Sequence, residues 1–215
     1  MKNSKLKKRG KTLFGLQREF EAPTWDQIYR MTLNLAERIR KDHYHPDIIV
    51  GICRGGWVPA RIISDVLDQP ELANIRVKFY SSIGETRSKP IITQPLSISV
   101  ANKDVLIIDD VADSGQSLKL VSDHIKEQGA NRVKTTTIYC KPWSEIVPNY
   151  FEKKTTCWVI FPWEPKEVIK NLIEQYLREG GPIDEVRNKL RRSGLDPELT
   201  ERFIGKILAE RSVKT

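Results

Sequence analysis

Cysteine is scarce in this chain of 215 residues: Cys53, Cys140 and Cys157 make an odd number with no Cys-x-x-Cys spacing. That argues against a disulfide framework and a thiolate zinc site, and leaves buried thiols in a reducing cytoplasm as the expectation. Histidine is as sparse. His43 and His45 stand close together, but no further Cys or His lies near enough in sequence to complete a metal set, so both are assigned to a loop. No apolar run reaches the roughly 18 residues that a membrane span requires, and the basic N-terminus lacks the apolar stretch of a secretory signal. The Walker A pattern Gly-x-x-x-x-Gly-Lys-Ser/Thr occurs nowhere, and neither does the dinucleotide turn Gly-x-Gly-x-x-Gly. Any phosphate chemistry here needs another cradle.

The formal net charge of +8 is unevenly placed. Residues 1–23 hold seven Lys/Arg against two Glu, a basic tail expected to be solvated and disordered. Residues 165–215 are nearly balanced, so their basic positions Arg187, Lys189, Arg191 and Arg192 read as the outside of a small packing bundle, not as a nucleic-acid helix. Nucleic acid is therefore not an expected partner.

Hydrophobic spacing divides the remainder. Thr24 to Gln27 reads as a capping box, and Trp25, Ile28, Met31, Leu35 and Ile39 recur at helical intervals. Apolar runs at Ile48–Cys53, Val77–Ile83, Val105–Ile108, Thr135–Tyr139 and Cys157–Phe161 predict strands, with helices over 58–67 and 118–128 between them. Residues 84–95 show little periodicity and read as a loop. Strands that are apolar throughout and alternate with helices predict a parallel sheet covered on both faces, with its ligands at the strands' carboxyl ends. After Pro165 three helical stretches follow, each with Pro near its start, and Asp196 is placed to cap the last.

The most informative segment is Val105 to Ser117. An apolar strand delivers two carboxylates, Asp109 and Asp110. Asp113, Ser114, Gly115, Gln116 and Ser117 then lead into an amphipathic helix. A helix N-terminus offers unpaired N–H groups and the positive end of a dipole, which suits phosphate. Two acids beside an anion cradle suit a ligand that brings both hydroxyls, or a metal, and a phosphate.

This segment resembles the phosphoribosyl-pyrophosphate (PRPP) signature of type I phosphoribosyltransferases: four apolar residues, two acids, two spacers, then Asp-Ser/Thr-Gly-x-Ser/Thr. Gly51 to Pro59, with Arg54 before Gly55 and Gly56, resembles the same family's pyrophosphate loop, in which a peptide bond is often cis. The likeness covers residues 24–164. It implies a type I phosphoribosyltransferase fold, a parallel sheet flanked by helices, with a C-terminal helical bundle over 165–215.

It implies that Asp109 and Asp110 hold the ribose hydroxyls or the waters of Mg²⁺, and that Val111, Ala112, Asp113, Ser114, Gly115, Gln116 and Ser117 surround the 5′-phosphate. Asp113 is the expected general acid/base near purine N7. Cys53, Arg54, Gly55, Arg87 and Lys89 are the expected pyrophosphate group, the last two on a loop that closes over the site. Lys141, Phe161, Pro162 and Trp163 are the expected base-recognition residues. A homodimer follows from the same likeness. As a whole, with its helical C-terminal third, the chain is similar to crenarchaeal adenine phosphoribosyltransferases, so adenine and PRPP are the expected substrates, with AMP and pyrophosphate as products. Two alternatives stand beside that reading: a 6-oxopurine enzyme, which Lys141 favours, and a PRPP-binding regulator.

Overall fold

The computed structural model describes residues 19–69, 71–80 and 89–212. Arg87 and most of the basic tail lie outside them. In chain order the elements are β1 (Phe20–Glu21), α1 (Trp25–Lys41), β2 (Ile48–Cys53), α2 (Trp57–Val66), β3 (Leu72–Tyr80), β4 (Lys89–Gln94), β5 (Asp104–Ala112), α3 (Gln116–Glu127), β6 (Arg132–Cys140), β7 (Tyr150–Lys154), β8 (Trp158–Val159), α4 (Pro165–Arg178), α5 (Ile183–Arg192) and α6 (Pro197–Ser212). The chain divides into two compact units, residues 25–156 and residues 1–24 with 157–215.

The first unit is built on a six-stranded sheet in the order β4-β3-β2-β5-β6-β7. All neighbouring pairs are parallel except β3 with β4. Apolar strands bury both faces. Ile48, Val50, Ile52, Val105 and Ile107 pack with Leu118, Val121 and Ile125 of α3. The alternating residues Ile49, Leu106 and Ile108 are buried as well. Helix α1 buries Ile28, Leu35 and Ile39 of the expected stripe together with Thr32 and Ala36, whereas Trp25, in its first turn, is exposed, and the helix lies against α2, β6 and β7.

The second unit has its own core of Ile169, Ile173, Tyr176, Val186, Leu190 and Ile204 from its three helices. Strands β1 and β8 pair in parallel, Phe20 with Trp158 and Glu21 with Val159. Asp196 caps α6 as expected, accepting from the Leu199 N–H at 2.7 Å. Among the described residues no helix is long and apolar enough to cross a membrane.

Several boundaries differ from expectation. The unit boundary falls at Cys157 instead of 165, and the tail ends early, because β8 pairs with β1 and not with the main sheet. The strand expected over Cys157–Phe161 shrinks to two residues. The stretch expected to be a loop up to Pro95 contains β4, whose Pro90, Ile91 and Ile92 pair antiparallel with Phe79, Lys78 and Val77. Pro90 is tolerated because β4 is an edge strand. The edge strand β7 was not foreseen, since only Tyr150 of its five residues is buried and the charged Glu152, Lys153 and Lys154 mask its pattern.

Candidate active site

Strands β2 and β5 lie side by side at the centre of the sheet, but the chain leaves β2 toward β3 and leaves β5 toward β6, on opposite sides. The two following loops therefore part and open a crevice at the strands' carboxyl ends. This is where the chain places its acids, its Arg-Gly-Gly turn and its phosphate-type loop.

Strand β5 runs on through the acids to Ala112, longer than the apolar run alone predicts. Pairing with β6 sustains it, Asp109 opposite Thr137 and Ala112 opposite Cys140. The Asp109 carboxylate accepts from the Asp110 N–H at 3.0 Å, and Asp110 accepts from the Val111 N–H at 2.8 Å. Burial, and after it the neighbouring Asp110 charge, push the Asp109 carboxyl well above the usual carboxylate range. A cation there relieves that cost, whether a metal or a positive centre on a substrate.

Gly115 stands at the N-terminus of α3 with φ of +81°, in the left-handed region that glycine adopts freely. A Cβ at this position would come within 2.7 Å of Ser144 Oγ and 2.8 Å of the Ile146 nitrogen. Ser114 Oγ accepts from the Gln116 N–H at 3.3 Å. Asp109, Val111, Ala112, Asp113, Ser114, Gly115, Ser117 and Leu118, together with Phe79 of β3, line a cleft of about 320 Å³. The structure thus brings together nearly the whole expected phosphate-binding set.

The turn after β2 presses on the acids. The Cys53–Arg54 peptide is cis. A Cβ on Gly55 would stand 1.8 Å from Asp110 Oδ2, and one on Gly56 would stand 2.7 Å from the Asp109 Cα. Gly56, whose Cβ would meet rigid backbone, therefore excludes every other residue, and a side chain at Gly55 would have to displace the Asp110 carboxylate, so this glycine turn sits directly beside the acid pair. Lys89 opens β4 opposite Tyr80 and is exposed.

Lys141 follows β6, and its N–H continues the ladder to the Ala112 carbonyl at 2.9 Å. It is 5 % exposed, rare for a lysine. The Ser144 N–H closes a turn onto the Lys141 carbonyl at 3.1 Å, with Pro142 at the second turn position where its fixed φ belongs. That turn holds Trp143, whose indole N–H donates to Asp113 Oδ1 at 2.9 Å. Trp143 and Phe79 are the site residues that sequence reasoning missed. A Trp two positions beyond the candidate lysine was the available signal for the first; Phe79 had none beyond its place near a strand end. Phe161, Pro162 and Trp163 belong to the second unit. There the Phe161 and Trp163 rings stack with centroids 4.8 Å apart, and Phe161 is 2 % exposed.

Among the described residues no group of three or more His, Cys, Asp or Glu side chains gathers as a metal-ligand set. Two adjacent carboxylates do fit Mg²⁺, a hard cation that takes one or two protein oxygens and completes its shell with water and substrate phosphate.

Comparison with known proteins agrees with this geometry. The phosphoribosyl transferase domain matches residues 24–170. A xanthine-guanine phosphoribosyltransferase of Cereibacter sphaeroides is 34 % identical over 148 residues, 66 % of this chain and 84 % of that protein. A hypoxanthine-guanine phosphoribosyltransferase of Streptococcus pyogenes is 28 % identical over 57 % of this chain and 69 % of that protein. Among solved structures, a purine phosphoribosyltransferase from Pyrococcus horikoshii superposes with a TM-score of 0.62 at 40 % identity, covering 67 % of this chain and 93 % of that one.

Proposed function

The chain belongs to the phosphoribosyl transferase family, and from that premise we propose that it transfers the phosphoribosyl group of PRPP to a 6-oxopurine, giving a nucleoside monophosphate and pyrophosphate. It is an enzyme, a transferase of the glycosyl type. The observation that carries the choice of base is Lys141, buried at the end of β6 beside the loop that bears Asp113. An ammonium donates and cannot accept, so it suits a carbonyl oxygen at C6 and does not suit the amino group of adenine. The expectation of adenine rested on the likeness of the chain as a whole, with its helical C-terminal third, to crenarchaeal adenine phosphoribosyltransferases. The matched relatives are named for xanthine, guanine and hypoxanthine, which supports the 6-oxo reading instead.

In the proposed reaction a purine nitrogen bonds to C1 of the ribose as the C1–O bond to pyrophosphate breaks, and pyrophosphate leaves with the electron pair. Backbone N–H groups at 114–117 hold the 5′-phosphate. Asp109 and Asp110 hold the ribose hydroxyls and place negative charge near a sugar that becomes cationic in the transition state. Asp113 takes the proton from N7 as the glycosidic bond forms, which leaves the product neutral at that nitrogen. Arg54 and the glycine turn receive pyrophosphate, with Lys89 and Arg87 as further cationic candidates. Mg²⁺, when bound through Asp109 and Asp110, neutralises charge on the leaving pyrophosphate.

The test is turnover of the purified protein with PRPP, Mg²⁺ and each of guanine, xanthine, hypoxanthine and adenine. At least one 6-oxopurine is converted faster than adenine, and Lys141→Ala removes that preference. Faster conversion of adenine, with Lys141→Ala neutral, overturns the base assignment.

A further inference from the structure

Trp143 is unassigned in the chemistry so far, yet it touches both groups proposed to read the base. Its indole N–H donates to Asp113 Oδ1 at 2.9 Å, and the Lys141 ammonium lies 5.7 Å from its ring centroid. Resting on the function proposed above, we infer that Trp143 is a positioning residue that orients Asp113 toward the purine's N7 while Lys141 meets O6.

The loop that carries Trp143 is fastened to the phosphate loop on both sides. The Lys141 N–H donates to the Ala112 carbonyl at 2.9 Å, and the Glu145 N–H donates to the Ser114 carbonyl at 3.0 Å. Beside these ties Ser144 and Ile146 stand so close to the bare face of Gly115 that a Cβ there would meet both. Gln116 Nε2 reaches Glu145 Oε1 at 3.5 Å. Trp143 is thus carried on a strut whose ends are set by the backbone of residues 112–115, the chain that also bears Asp113.

The chemistry explains why such a strut matters. N7 and O6 lie on one edge of a 6-oxopurine, and one carboxylate and one ammonium must face them together. A carboxylate has two equivalent oxygens and rotates about its own axis. Occupying Oδ1 with a fixed N–H donor leaves Oδ2 as the oxygen that takes the proton, at a set angle. The indole is half exposed at 48 %, so its placement owes little to core packing.

The test is Trp143→Phe, which keeps an aromatic ring and removes the donor. Its kcat falls about tenfold, the scale of one hydrogen bond to a charged group, while KM for PRPP is unchanged. In an Asp113→Asn background the same substitution changes kcat by less than about twofold, because the proton acceptor it serves is gone. A full-size loss persisting in the Asp113→Asn background, or wild-type kcat in Trp143→Phe, overturns the inference.

The contact is also read without turnover. The Trp143 indole ¹H–¹⁵N resonance, assigned by its disappearance in Trp143→Phe, moves upfield in Asp113→Asn because a neutral amide accepts more weakly than a carboxylate. An unmoved resonance sinks the positioning role by itself. A wild-type protein that binds PRPP and converts no purine, with the resonance moving as stated, instead overturns the proposed reaction and leaves the contact standing.

Discussion

Strand β5 begins at Asp104 and carries Asp109 five residues later, and the two ends treat a carboxylate in opposite ways. At the amino-terminal end Asp104 accepts from Arg132 Nε at 3.0 Å and from Asn131 at 2.8 Å. The Arg132 bond, first among the causes, holds the Asp104 carboxyl below its usual range. Nearby, Asp42 is bonded by Lys134 and Tyr150, and its carboxyl is likewise held down. At the carboxyl-terminal end burial and a second carboxylate push Asp109 up. One end of the strand satisfies its own charges, whereas the other sets two carboxylates side by side. Under the proposed function, stability is placed at one end of the strand and catalysis at the other.

The sharpest break of that comparison is at Gly115. Gly115→Val forces a side chain into the left-handed region and into Ser144 and Ile146, and PRPP and the product monophosphate both lose at least about 100-fold in affinity by calorimetry. Equal, wild-type affinity for both in a folded variant removes the phosphate assignment. Next in size, Asp113→Asn lowers kcat by about 100-fold and leaves PRPP affinity near wild type, since a proton acceptor acts in the transition state. Steady-state kinetics beside direct binding separates the two effects.

The smaller pair of effects has opposite signs. Asp109→Asn raises the Tm of the unliganded protein at neutral pH, because the carboxyl it replaces has a raised folded-state pKa and costs stability when ionised. The gain shrinks as the pH falls through that raised value, where Asp109 takes up its proton. Asp104→Asn lowers Tm at neutral pH, because a depressed folded-state pKa contributes stability above the unfolded value. That loss fades as the pH drops below the ordinary carboxylate range, and kcat is unaffected throughout. Thermal melts across pH decide both, and a fall in Tm for each variant would erase the contrast between the two ends.

The legible parts of the sequence were contiguous. The strand, acids, glycine and helix start at 105–117 lie within thirteen residues, so their local conformation and their chemistry were read together. The helices of the second unit were marked by their prolines and by the Asp196 cap. Elements whose partners are distant were read poorly. Strand β4 exists because it has β3 to pair with, and β1 exists because residues 158–159 come back beside it. The Trp143 bond to Asp113 spans thirty positions, and no local pattern announces it.

Order along the chain was enough to set the glycine loop at 113–117, the acid pair and the helical periods, because backbone preference, capping and hydrophobic spacing act between near neighbours. Which of those groups meet was settled by the folded sheet. Gly55 against Asp110, Trp143 against Asp113 and Arg132 against Asp104 all depend on strand order and register, which arise from packing over the whole sheet. A carboxylate's neighbours across the sheet, and not its neighbours in the chain, set whether it holds the fold together or waits for a ligand.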